Sequence, residues 1–353
     1  MPKLQHGKKI FSKKKKKRFP FWIFLLGLLA IPFFLIPDTP QAIISTPIGL
    51  TVEATFPATY TPLPVPTFTP LPYPTGVHGG RIIFTCTRGD YNHICMVNKD
   101  GSGLLQITHE NVNHYYPSLS PQGEAIIYAS NQSRGTFDLY LLILSTSQQI
   151  ELTHEIGNVF SPTYSPDGQK ILFINKPEGA PTGLWIMDSN GENAHLLYDG
   201  RNEAGANPLV SAAWSPDGKQ IALAMTVNQA FEYEIFLLDV DNADEPPPRV
   251  TYGLLGITGS VSWSPTGDSI LLSAGPPLDK DIFDYEIETG IMTRLTTGGN
   301  NNSAVYSPNG EWIVFNSLRN HDQADLYLMR PDGTDLQQIT DNPEPDWQAQ
   351  WEP

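Results

Sequence analysis

A chain of 353 residues with 40% hydrophobic and only 17% charged residues can bury a sizeable core but not pattern long charged helices, and its 29 Gly and 32 Pro point to short strands joined by turns. The net charge of −15 is unevenly placed: residues 1–18 hold nine Lys/Arg and no acid, so the other 335 carry 13 basic against 37 acidic residues, a net of −24. A body that acidic repels phosphate backbones, which excludes nucleic-acid binding, and two cysteines are too few for a disulfide-built scaffold or a four-cysteine zinc site.

Residues 1–18 read as a basic cytoplasmic tail. They lead directly into the uncharged run FPFWIFLLGLLAIPFFLIP from Phe19 to Pro37. About 20 apolar residues cross the hydrocarbon core, so 19–37 is expected to be a single transmembrane signal anchor. The positive flank stays in the cytoplasm, which places everything after residue 37 outside, in the periplasm or the extracellular space. Two other readings stand beside it. A cleavable signal peptide fits the basic flank, but no clear small-x-small cleavage site follows Ile36; a buried core helix fits the apolar run, but not the charge contrast. No Cys follows the run, which argues against a lipoprotein anchor. Residues 38–78 hold nine Pro and nine Thr in 41 positions, and proline removes donors, so a linker is expected there: an extended stalk of roughly 3 Å per residue.

From residue 79 to 353 the chain repeats itself. YPSLSPQGEAIIYAS, FSPTYSPDGQKILFIN, VSAAWSPDGKQIALAM, SVSWSPTGDSILLSA and SAVYSPNGEWIVFNS are versions of one unit, with turn prolines at 121, 166, 216, 265 and 308. A period of about 40–50 residues built from short strands indicates propeller blades. Each unit reads as four strands. The first ends at an aromatic such as Tyr164, Trp214, Trp263 or Tyr306, and Ser-Pro-Asp-Gly then supplies a tight turn. A dense apolar strand follows, then a third strand (HICMVN, DLYLLIL, GLWIMDS, EIFLLDV, DIFDYEI, DLYLMRP) and an outer strand closing in Leu-Thr or Ile-Thr. Residues 80–108 lack the first strand of such a unit. The final DWQAQWEP has only that strand, with Trp351 and Pro353 falling 45 residues after Tyr306 and Pro308. The two fragments should therefore complete one blade between them. The expected fold is an all-β six-bladed propeller of four-stranded antiparallel blades, closed by a clasp that removes the exposed edge.

The YSPDG/WSPDG turn, the apolar strand, the (L/I)Y-x-M strand and the closing Leu-Thr together resemble the TolB-like, WD-like propeller repeat, which is similar to the amino-terminal propeller of dipeptidyl peptidase IV and prolyl oligopeptidase relatives. The resemblance covers residues 80–353. It implies the fold, and for function it implies protein interaction in the cell envelope. Two departures are visible: an anchor and stalk stand where TolB has a further globular domain, and no hydrolase domain follows the propeller as in the peptidases.

Catalytic signatures are missing. The chain has neither Gly-x-Ser-x-Gly nor a phosphate-cradling or dinucleotide glycine pattern. His109-Glu110-Asn111-Val112-Asn113-His114 spaces its histidines five apart in an expected loop, not four apart on a helix, and reads as solvated loop histidines. Asp188–Asn193 resembles part of a calcium loop but sits where other blades have a hairpin turn. No catalytic residue, metal or cofactor is expected. Cys86 and Cys95 fall on paired hairpin strands, within disulfide reach, and outside the cytoplasm they should be bonded. The segments entering each inner strand should line the mouth of the central channel, and they carry His114, Tyr115, Asn158, Asn207, Asn301, Asn302 and Asp346. The expected function is a membrane-anchored, non-catalytic module that binds a protein or peptide partner. A stand-alone propeller lyase or hydrolase and a carbohydrate-binding or sensor component are the alternatives.

Overall fold

The Ser-Pro-Asp-Gly turn shows how one short sequence sets the shape of a blade. In 165–168 the Ser165 hydroxyl donates to Asp167 Oδ1 (2.6 Å) and accepts from Lys170 N–H (2.9 Å), while Gln169 N–H donates to Asp167 (3.0 Å). These bonds, from the Ser165 hydroxyl first, hold the Asp167 carboxyl below its usual range. Gly168 sits at φ +72°, in the left-handed region, and a Cβ there would meet Pro121 of the preceding blade at 3.3 Å. Pro166 meets Gly218, Pro216 meets Gly267, and Pro265 meets Gly310 in the same way. Proline and glycine of the motif are thus the two halves of one contact, passed from blade to blade around one face.

The computed structural model describes residues 80–352, apart from 133–134, 203–204, 207–208, 228–232, 254–257 and 321. The expected anchor (19–37), the expected linker (38–78), Asn207 and Pro353 lie outside the described residues. Among the described residues, no helix is long and apolar enough to cross a membrane.

Six antiparallel sheets form the blades. Blade two runs His114–Leu119, Ala125–Ser130, Asp138–Ile143 and Gln148–Glu151; blade three runs Asn158–Tyr164, Lys170–Lys176, Gly183–Asp188 and His195–Tyr198. Blade four has Leu209–Trp214, Gln220–Thr226 and Tyr233–Asp239, and its fourth strand shrinks to a single bridge, Phe236 to Arg249. The prolines at 246–248 explain that loss, because they have no N–H to give to a ladder. Blades five and six end in the short outer strands Met292–Arg294 and Gln337–Gln338. In blade one, Asp346–Trp351 pairs antiparallel with Arg81–Arg88, which continues to Tyr91–Asn98 and Leu105–Gln106. The carboxy-terminal strand is therefore the inner strand of the first blade. Inner strands touch on both sides all the way round, so the ring is closed.

The core is six layers between blades. Ile82, Phe84 and Cys86 pack against blade six through Trp312, Val314 and Leu328, whereas Ile83 and Ile94 pack against Ile126, Tyr128 and Leu142 of blade two. Alternate residues of one strand serve opposite neighbours, which is why the second strands read as continuous apolar runs.

The closing Leu-Thr is not an outer-strand pair. The outer strands stop two residues earlier, and the threonine turns in toward the third strand. Thr108, Thr153, Thr251, Thr296 and Thr340 each accept, at 2.8–2.9 Å, the backbone N–H of Ile94, Leu139, Ile235, Ile282 and Leu326 respectively. Their hydroxyls donate in turn to buried acids: Thr153 to Asp138 (2.9 Å), Thr296 to Asp281 (3.0 Å), Thr251 to Glu234 (2.5 Å). One hydroxyl ties the exit of the outer strand to the entry of the third.

Candidate functional site

Every inner strand contains an irregularity, and that irregularity decides what faces the channel. Tyr116, Ser161, Ser303 and Gln348 have φ of +52° to +55°, each five residues before its turn proline. Pairing with the second strand slips in all six blades, and at the same place in blades one, two, three and six. Such a bulge breaks side-chain alternation. In blade two, consecutive residues that a regular strand would send to opposite faces come together, with the rings of Tyr115 and Tyr116 only 6.1 Å apart.

The consequence is an aromatic arc on blades one to three. Trp347, Tyr115 and Phe160 each stand six residues before the turn proline, and Tyr116 adds a fourth ring. Tyr115 meets Trp347 at 6.2 Å and Phe137 at 5.6 Å, both edge-on, and Tyr116 meets Phe160 at 6.4 Å. Tyr116 retains 37% of its exposure, and the other three inner-strand rings are half-buried. Burial pushes both tyrosine phenols up from their ordinary value, so they are neutral hydrogen-bonding rings. The Tyr115 hydroxyl accepts from Asn92 Nδ2 (2.8 Å), and Tyr116 N–H donates to Gln348 (3.1 Å). The same positions in blades four and six are Val210 and Asn302. The aromatic rings at this repeat position are therefore confined to blades one to three, with none on blades four and six.

The residues expected at the mouth divide under this geometry. Only Tyr115 belongs to the arc. His114, Asn301 and Asp346 share one repeat position, seven before the proline, but all three are fully buried in the seams between blades, so they are structural and not open contacts. Asn301 donates through Nδ2 to Thr296 Oγ1 (2.9 Å) and Asp281 Oδ1 (3.1 Å) and accepts from Arg319 (3.0 Å). Asp346 accepts from Arg88 (3.1 Å) and Asn342 (2.5 Å); burial raises its carboxyl pKa, against the pull of Arg88. Asn158 is half-buried, its Oδ1 occupied by Phe137 N–H (3.0 Å). Asn302 is half-buried and donates through Nδ2 to Asn300 O (3.3 Å). Tyr115, Asn158 and Asn301 stand six, eight and seven residues before their prolines and so occupy three different positions of the repeat. The expectation of solvated histidines fails for His114, whose ring is enclosed by Tyr128 at 5.3 Å and His93 at 6.0 Å.

Asp188 spends its carboxylate on Lys170 (2.6 Å) and Asn193 (2.5 Å) beside a hairpin turn. Cys86 and Cys95 are joined by a disulfide with Cα atoms 5.8 Å apart. They do not face each other directly: Cys86 is opposite His93 and Cys95 opposite Phe84, so the bridge runs diagonally across the hairpin. Both lie in the seam with blade six, beside the closing strand.

Residues 182–353 match the TolB beta propeller domain family. An uncharacterised protein of Agrobacterium fabrum (strain C58 / ATCC 33970), Atu1656, is 41% identical over 86 residues, 24% of this chain and 29% of that protein. The Tol-Pal system protein TolB of Ruthia magnifica subsp. Calyptogena magnifica is 32% identical over 114 residues, 32% of this chain and 25% of that protein. The alignments span less than a third of either relative. The crystal structure of TolB from Acinetobacter baumannii superposes with a TM-score of 0.66 at 22% identity, covering 78% of this chain and 67% of that one. The folded body of this chain is a TolB-like six-bladed propeller.

Proposed function

We propose that this propeller is a non-catalytic binding module of the cell envelope, held outside the membrane by the apolar segment 19–37 and the Pro/Thr-rich stalk, and that it takes an extended peptide segment of a protein partner at the aromatic side of its channel. The observation that carries the reading is the arc itself. Four aromatic rings from three adjacent inner strands stand on one side of the axis, with Tyr116 the most exposed of them. Large, stiff aromatic side chains supply most of the energy of peptide contacts at little entropic cost. The likeness to Tol-Pal system proteins supports an envelope partner. Two buried acids support binding over catalysis, because they are already engaged: Asp346 by Arg88 and Asn342, and Asp281 by Thr296 and Arg294.

A phage-displayed peptide library selected on the propeller tests the reading. Selected peptides should lose at least tenfold in affinity on Tyr116→Ala or Phe160→Ala, and none on Asp217→Ala in a turn of the opposite face. Equal loss from both faces, or oligosaccharides binding on an array where no peptide does, overturns it.

A further inference from the structure

A cluster of buried polar atoms at the seam between blades one and two plays no part in the aromatic arc. His93, on the third strand of blade one, is 5% exposed, and His114, on the inner strand of blade two, is not exposed at all. Their ring centroids are 6.0 Å apart. His93 Nδ1, both ring nitrogens of His114, Tyr128 Oη and Ser130 Oγ are buried without a hydrogen-bond partner among the described residues. Five such atoms from four neighbouring residues are a concentration that folding ordinarily avoids. The neighbourhood has one counter-charge: Glu110 Oε2 stands 3.4 Å from His114 Nε2, outside hydrogen-bonding geometry.

We infer that His93 and His114 form an acid-operated latch, sealing the seam between blades one and two while neutral and parting it when His114 takes up a proton. The groups facing the pair are few. On His114 act Glu110, which favours the proton, and His93, which opposes it; on His93 act His109, Glu110 and Arg88; Tyr128 stacks against Tyr140 behind them. Burial, more than any of these charges, drives the His114 pKa down to about 4, and burial first, then His109, lowers that of His93. Burial works to raise Glu110, but hydrogen bonds from its own N–H, the Gln149 amide and His109 N–H outweigh it, so the carboxylate stays ionised.

The sign follows from linkage. A histidine whose folded pKa lies below its free value of about 6.5 favours the closed state only while neutral. That stabilisation is complete above about pH 6.5 and is lost as the pH falls toward about 4. One proton taken up on opening makes the open population rise about tenfold per pH unit across this window. Asn113 and Tyr115, which flank His114, are hydrogen-bonded across the seam to Asn92, which precedes His93, so opening the seam exposes these amides together.

Hydrogen exchange on the full chain, corrected for intrinsic rates, tests this between pH 7 and 4.5. Amides of 92–94 and 113–115 should gain about tenfold in opening per pH unit, while those of 172, 174, 221 and 223, in the seam between blades three and four, gain none. His114→Gln should abolish the gain. Glu110→Gln, which removes the counter-charge and so lowers the His114 pKa of the closed state, should leave the onset near pH 6.5 unchanged and extend the gain to lower pH. The latch is disproved if the two seams respond alike or if His114→Gln keeps the gain. Should that variant not fold, the wild-type His114 imidazole followed by NMR decides: a midpoint near 6.5 overturns the proposal, and one well below, coincident with the exchange, supports it.

Discussion

At the scale of single residues, a few side chains carry the repeat. Thr296 accepts from Ile282 N–H and Asn301 Nδ2 and donates to Asp281, joining three segments through one oxygen. Thr296→Val keeps the volume but leaves the buried Ile282 N–H without its partner and takes one of the two hydrogen bonds from Asp281 Oδ1. Such losses cost about 1–3 kcal/mol each, so urea denaturation of the variant should show a lower midpoint with an unchanged slope. The disulfide acts on the unfolded chain. With the cysteines nine positions apart in sequence, replacing both by Ala should destabilise by about 2–3 kcal/mol on the chain-entropy account. Thermal melts of the double variant and of the reduced protein should then shift together; a reduced protein with an unshifted melt would show that the bridge contributes nothing.

Among the elements, the closing strand decides whether the ring exists. Trp351 is 8% exposed and donates through Nε1 to Val305 O of blade six (3.1 Å), just as Trp263 donates to Ala213 O of blade four (3.0 Å). Glu352 pairs with Arg81, and Ala349 is buried in the same seam. Deleting 346–353 removes these contacts and bares the edge of Arg81–Arg88. Loss of one large buried aromatic costs about 3–5 kcal/mol, a third or more of a typical domain's stability. The truncated body should melt at least 10 °C lower or aggregate. A melting temperature within a degree or two of the full chain would refute the clasp's energetic role.

Across the whole molecule, the two faces of the ring have different tasks. The turn face carries four proline–glycine contacts running from blade two to blade six, and substitutions there should alter stability without touching binding. The other face carries the arc and the histidine seam. The proposed placement of the body outside the membrane is read from the charge-flanked segment 19–37 and the proline-rich stretch after it. Protease added to intact cells should cut within 38–78 and release a soluble fragment that still binds the selected peptides. Protection of the body from external protease would reverse the topology.

The sequence by itself determined the repeat, the blade count and the closure. A turn needing Pro and Gly, an apolar run covered on both sides and an incomplete unit at each end are local constraints, written in residue types at fixed spacing. What it did not determine was direction. His114, Asn301 and Asp346 stand where a strand enters the channel, so spacing placed them at the mouth. The bulge beside them, a backbone feature that no residue type demands, turns them into the seams and brings Tyr115 and Tyr116 together instead. Likewise the spacing of Leu-Thr marked the end of a blade, but only the packed ring shows its hydroxyl bridging the outer and third strands. Position along a strand is a property of the chain; the side a residue faces, and whether its charge survives there, is decided by what the neighbouring blade presses against it.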